Sequence, residues 1–441
     1  MPEQINRLNF KSILGVSKYS IFGVVALILG FIRELIVAKE FGTSESLDVY
    51  VAVLTFHLFF GTQVGNTIEM AFLPEAVKID HKRDIAGVLF GALKRLLTLD
   101  VVVVSLLYLS ARVVLEQLFP SFTQSQQALG TMLLSGMLLT TVLANCSGLF
   151  RGGLNGIRVF LPGLLASPII SVVSIVALLL FAQDFGVLTL LGALIIGNAL
   201  VLSIMVVTFV RKVEGEFVAP PIQREKVLRH IWRGAAIVFV GEVGFQSYVL
   251  CTRIFAATLE PGTISSFFFA ATIVAVPISI FIWPISTVLY PQLARNFQNN
   301  RRKGYEHLVG YGVPAFLLAA IVATGVAFFS EELVRAVFMR GEFNEMSVKR
   351  TAPILAILIF SLPFGCIARI LDYALYAISR HDIPSISKWI GFVSFLITVV
   401  PLVDWLGAKG LALAMLIALI LPSVVSFLNL KNLCSGTNGA G

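Results

Sequence analysis

The sequence predicts an all-α membrane protein of about twelve transmembrane helices in two six-helix bundles. Three observations predict it. Hydrophobic residues make up 57% of the 441 and charged residues only 13%, against about 25% charged in a soluble domain. Apolar runs recur along the whole chain, and about 20 such residues span a bilayer as a helix. Matched residues also recur at a shift of about 220 positions, an internal repeat.

The apolar runs cover 18–38, 49–72, 87–108, 129–150, 160–181, 185–210, 231–258, 264–290, 308–329, 352–378, 388–404 and 408–430. Each is helical, because backbone groups in lipid need partners within their own segment. None alternates polar and apolar residues as a membrane barrel strand does. With the N-terminus inside, most of the 33 basic residues fall on the cytoplasmic side, among them Lys78, Lys94, Arg211, Lys226 and Arg301. The opposite side holds only Lys39, Arg112, Arg335, Arg340, Lys349, Arg350 and Lys409. This bias orients the chain with both termini cytoplasmic. It also accounts for the net charge of +8 without nucleic acid, and it makes anionic lipid a partner of the inner surface.

The repeat rests on residues other than apolar ones. Gly42 answers Gly262, Arg33 answers Arg253, Cys146 answers Cys366 and Gly186 answers Gly407. "FLPEAVK" at 72–78 answers "LYPQLAR" at 289–295, and "LNGIRVFLP" at 154–162 answers "LYAISRHDIP" at 375–384. Six helices separate each pair, so both halves enter the membrane from the same side, a parallel repeat suited to alternating access. The expected domains are a first bundle over 1–212, a cytoplasmic linker over 213–230 containing Pro220-Pro221, and a second bundle over 231–441.

Charged residues inside spans narrow the function. Each costs roughly 2.5–3.5 kcal/mol on insertion scales and marks a wet cavity, a pair or a snorkelling side chain. Arg33 and Arg253 occupy matching places in the first and seventh helices. Guanidinium groups bind phosphate oxygens in bidentate fashion, so two facing one cavity suit a diphosphate. The plainer readings are snorkelling to outer head groups, or a pair between Arg33 and an acid such as Asp48. Gln63, Asn66 and Glu69 share a face of the second helix beside Gly61 and Gly65. They suit either a substrate path or interhelical hydrogen bonds across a glycine seam. Glu242 and Gln246, four apart in the seventh helix, and Glu34 beside Arg33 are candidates for ion coupling. A structural pair is the alternative for Glu242. Arg369 and Asp372 are spaced to pair with each other. Pro277, Pro284, Pro353 and Pro363 are expected to loosen the eighth and tenth helices.

Catalytic signatures are absent from the sequence. It holds no P-loop, no GxSxG and no His/Cys cluster, and the four cysteines form no CxxC pair. An enzyme is not expected, and neither is a metal or a bound cofactor.

Four stretches stand out: "GFIRELIVAKEFGTSESLDVYVAV" at 30–53, "LEPGTISSFFFAATIVAVPISIFIWPISTVLYPQLAR", "MRGEFNEMSVKRTAPIL" and "LGAKGLALA". Together they resemble the MurJ/MviN family of lipid II flippases, within the larger group of multidrug, oligosaccharidyl-lipid and polysaccharide exporters. The resemblance implies a V-shaped exporter fold of 12 or 14 helices with a central cationic cavity, in the bacterial cytoplasmic membrane. It implies outward flipping of an undecaprenyl-diphosphate-linked saccharide, driven by a cation gradient or the membrane potential. Polysaccharide-assembly proteins are candidate partners. Arg33 and Asp48 match polar positions of the family, which makes both expected substrate ligands. Two departures stand out. The family's arginine-bearing stretch of the second helix reads "HLFFGTQVGN" here, and its "ADR" in the eighth helix reads Ala270-Ala271-Thr272. The chain is read to twelve helices, where the family usually adds two. An exopolysaccharide or O-antigen repeat unit therefore fits as well as lipid II. A small-molecule or drug exporter of the same group is the alternative.

Overall fold

The computed structural model describes residues 2–79, 82–213, 223–284, 293, 296–297, 300–378, 380 and 382–435. Among the described residues, twelve helices are long and apolar enough to cross a membrane. They are α1 (Pro2–Phe41), α2 (Glu45–Val77), α3 (Lys82–Leu118), α4 (Gln124–Gly156), α5 (Leu161–Phe185) and α6 (Leu188–Val213). The rest are α7 (Gln223–Ala257), α8 (Thr263–Pro284), α9 (Arg301–Phe328), α10 (Glu345–Ala377), α11 (Asp382–Leu406) and α12 (Ala408–Ser435). No strand occurs among the described residues, as expected where lipid leaves no partner for an open sheet edge.

Two of these helices are not regular. α2 widens into a π-helix over Leu58–Gln63. α10 breaks after Leu358, and Phe360 and Leu362 donate to Ile357 and Ile359 in short turns. Pro363 explains the break: it has no N–H and its ring collides with the carbonyl four residues back. The connection from α9 to α10, which lies between the apolar runs at 308–329 and 352–378, contains a short helix over Ser330–Phe338. Its apolar edge seats Phe338 against Phe269 and Phe343, with ring centroids 5.1 and 5.5 Å away.

The chain divides into two compact units. One comprises Met1–Phe41 and Val49–Val240, the other Gly42–Asp48 and Gly241–Gly441. The linker expected over 213–230 lies partly outside the described residues, at 214–222. From Gln223 the chain is already α7, and the division falls within that helix. In the first unit a core of Phe72, Leu89, Leu149, Phe150, Met205 and Phe209 joins α2, α3, α4 and α6. In the second, Leu308, Ala319, Leu362, Cys366, Ile370 and Leu430 join α9, α10 and α12.

The repeat is visible in the turns. Gly42, Gly262, Gly186 and Gly407 all have positive φ, the left-handed conformation that glycine adopts without steric cost. At Gly262 space excludes a side chain as well, because a Cβ there would lie 2.6 Å from the Thr43 carbonyl oxygen. Much of "LYPQLAR" lies outside the described residues.

The basic-residue bias makes a prediction about orientation. Single cysteines at Lys226, near the start of α7, and at Glu331, in the α9–α10 connection, are expected to react with impermeant thiol reagents from opposite sides. Labelling of both from one side overturns the topology.

Candidate functional site

Arg33 lies near the end of α1 and is held by its own neighbour. Its Nε donates to Glu34 Oε1 at 2.9 Å, and one Nη closes a second bond to the same oxygen. Adjacent helical residues diverge by about 100°, so only a long arginine reaches back this way. Glu34 is buried while the Arg33 side chain keeps 32% exposure. The second Nη of Arg33 has no hydrogen-bond partner among the described residues. The expected alternative partner, Asp48, is elsewhere.

The polar face of α2 is spent on α4. Arg151 donates through Nε to Glu69 and through Nη2 to Asn66 Oδ1 at 2.6 Å. Asn155 donates to the other Glu69 oxygen at 2.8 Å. A glycine seam brings the two helices close enough for this. A Cβ on Gly148 would lie 2.3 Å from the Gly65 carbonyl oxygen, and one on Gly65 would lie 2.8 Å from that of Ala144. Small residues let helix backbones approach in lipid, and polar side chains then bond across the gap. Of the two readings open for Asn66 and Glu69, the structure contains the interhelical one. Gln63 ends the π-helix and is half-buried.

In the second unit, Asp48 caps α8. Its two carboxylate oxygens accept from the Gly262 and Ser265 backbone N–H groups at 2.6 and 2.7 Å. A carboxylate there satisfies orphan donors and faces the positive end of the helix dipole. Expected as a substrate ligand, Asp48 is buried in this cap, and Thr43 beside it bonds Ser347 at 2.8 Å. Arg253 donates to the Ile264 carbonyl oxygen at 3.3 Å and leaves its Nε without a partner. Glu242 is paired: Lys388 of α11 donates to it at 2.9 Å. A lysine thus occupies the place where a coupling cation was expected. Gln246 is half-buried one turn further along α7. Arg369 makes no ion pair with Asp372. Its guanidinium is exposed and stands 6.0 Å from the centre of the Tyr373 ring, within cation–π range. The described residues contain no cluster of three or more His, Cys, Asp or Glu able to hold a metal.

The profile of the lipid II flippase MurJ family matches residues 37–439. The chain belongs to the MurJ family. A relative from Treponema pallidum, described as a probable lipid II flippase MurJ, is 26% identical over 432 residues. The match covers 93% of this chain and 80% of the relative. A solved lipid II flippase MurJ in an inward closed conformation aligns with TM-score 0.81 at 20% identity, over 94% of this chain and 87% of that one. An inward-facing multidrug transporter of the MATE family aligns with TM-score 0.77 at 14% identity, over 94% and 96%. These structural likenesses establish the exporter fold. Membership of the MurJ family makes the chain a multi-pass membrane transporter and not an enzyme.

Three residues of these networks had no signal in the sequence as read. Arg151 sits in "LFRGGLNG" and looked like one more cytoplasmic charge at a helix end. Asn155 and Lys388 lie far along the chain from the acids they meet.

Two outcomes test the networks. Arg151→Met leaves Glu69 half-buried without its cation and is expected to cost about 1–3 kcal/mol. Adding Glu69→Gln should restore part of that loss, measured by thermal unfolding in detergent. Asp48→Ala should cost about 1–2 kcal/mol by uncapping α8, whereas Asp48→Asn, itself a good cap residue, should cost less.

Proposed function

We propose that this MurJ-family protein flips lipid II, or a closely similar polyprenyl-diphosphate-linked saccharide, to the outer leaflet of the cytoplasmic membrane. The match of the lipid II flippase profile over residues 37–439 is the observation that carries this reading. The guanidinium of Arg33 is the group we assign to the substrate diphosphate. Glu34 holds one edge of it, through Nε and one Nη, and fixes its direction. The outer edge is partly exposed and has a donor to spare. Phosphate accepts well from that planar fork.

Glu34 is then an orienting group, and the Glu242–Lys388 pair is a fixed internal neutralisation in the second unit. Asn66 and Glu69 support the first unit through Arg151. Arg369 is a second candidate for the diphosphate, because its exposed guanidinium has no ion pair among the described residues.

The sugar is the finer question. The chain has no arginine in the "HLFFGTQVGN" stretch of α2 and has Thr272 in place of the arginine of "ADR". Expression in cells depleted of their own lipid II flippase answers it directly. Restored growth supports lipid II. Failure there, with rescue of an exopolysaccharide or O-antigen flippase mutant, assigns the other saccharide.

Arg33→Ala is expected to abolish rescue at normal membrane abundance. Arg33→Lys should retain only a small fraction of activity, since it keeps the charge and loses the fork. Full rescue by Arg33→Ala at wild-type abundance overturns the assignment.

A further inference from the structure

The least compensated charge in the first unit belongs to no residue discussed so far. Asp100 lies near the middle of α3, within the span Asp84–Leu118, and is 6% exposed. One carboxylate oxygen accepts from Asn145 Nδ2 of α4 at 2.8 Å. The other is buried and has no partner. Asn145 donates as well to the Phe60 carbonyl oxygen at 3.1 Å, inside the π-helix of α2. Asn145 Oδ1 is also buried without a partner.

No cation answers Asp100 among the described residues. Among the described residues, no Lys, Arg or His is ion-paired or hydrogen-bonded to it. The titratable groups around it are few. On α4 there is the buried thiol of Cys146, within electrostatic reach. On α2 there is His57, whose Nδ1 is engaged by the Thr140 hydroxyl at 2.8 Å. On α3 itself the nearest charges are Lys94 and Arg95, about 8–9 Å along the helix axis, and Arg95 is paired with Glu225. On α6 the charged residues are Arg211 and Lys212, in the last turn.

A bare carboxylate in hydrocarbon is so costly that the group takes up a proton instead. Ionisable residues facing a bundle interior at mid-membrane mark ion and proton paths, and buried oxygens without partners are rare enough to need a cause. We infer that Asp100 is a proton-binding site in the first unit, and that Asn145 transmits its state to the π-helix of α2. The exchange is O–H bond formation and cleavage alone, with the proton taken from and returned to water. In the charged state Asp100 grips Asn145 more tightly, because a hydrogen bond to a charged acceptor is roughly twice as strong. Protonation weakens that grip and frees Asn145 to move. The Phe60 carbonyl then changes its partner in the one stretch of α2 that is not α-helical. π-Helical turns of this kind often sit at functional positions. This inference rests on the transport reading for its purpose, but the site itself is testable without substrate.

The test is carbodiimide labelling of the full-length protein in proteoliposomes, located by mass spectrometry. Dicyclohexylcarbodiimide modifies protonated carboxyls in apolar surroundings. Asp100 should label at mildly acidic pH and lose reactivity about tenfold per pH unit above its midpoint. Sodium in place of choline should not protect it. Asp100→Asn should remove that adduct and flatten the pH dependence of flipping. Three results overturn the inference: no label on Asp100 at acid pH, protection by sodium, which makes the site one for a metal cation, or wild-type pH dependence in Asp100→Asn. If the wild-type protein labels as expected yet flips no lipid-linked saccharide, the functional reading fails and the proton site stands.

Discussion

Hydrocarbon offers a polar group no alternative partner, and this constraint shapes most of what is specific in the chain. Inside the spans, Arg33 bonds Glu34, Arg151 bonds Glu69 and Asn66, Lys388 bonds Glu242, and Asp48 takes two backbone donors of α8. Each arrangement stays within one compact unit. Only α-helices long enough to satisfy their own backbones cross the membrane. Where α2 departs from regular helix, a side chain from α4 takes up one of the carbonyls in the widened turn.

The α2–α4 seam shows how packing and polarity depend on each other. Polar bonds in lipid are short-range and need the helix axes close together. Gly65 and Gly148 remove the side chains that would hold them apart. Once the backbones touch, Arg151 can reach both Glu69 and Asn66. Either feature alone is weak. Glycines without the polar bonds leave a smooth surface, and the polar residues without glycines leave charges stranded in lipid.

The fold was legible because its signals are local. Twelve apolar runs, a lopsided distribution of Lys and Arg, and glycines matched between halves all survive in a linear sequence. The left-handed turns at Gly42, Gly186, Gly262 and Gly407 follow directly from such matches. The polar networks were only half legible. Arg33, Glu69 and Glu242 stand out as charges in apolar runs, but their partners are set by which helix faces meet. Lys388 is 146 positions from Glu242, and Arg151 is 82 from Glu69. Spacing rules favour a pair between Arg369 and Asp372, whereas Arg369 turns to the Tyr373 ring instead. Spacing also disfavours a bond between neighbours on a helix, yet Arg33 and Glu34 make one. Asp100 is likewise a charge in an apolar run, but the sequence does not show that α4 meets it with the amide of Asn145 and with no cation.

The pairing has a consequence for substrate recognition. Basic residues in the spans would by themselves give the strongly positive interior that attracts a diphosphate. Here Glu34, Glu69 and Glu242 neutralise Arg33, Arg151 and Lys388 in place. These three paired cations attract anions weakly at long range, since opposite charges in contact act outward only as a dipole. What these residues can offer an anion is directed donors at contact distance. The proposed role of Arg33 fits this, with one edge held by Glu34 and the other free to form hydrogen bonds. Such a site discriminates by geometry more than by charge. On the proposed role of Arg33, a lysine has the same charge but lacks the fork, and Glu34 orients the arginine it holds.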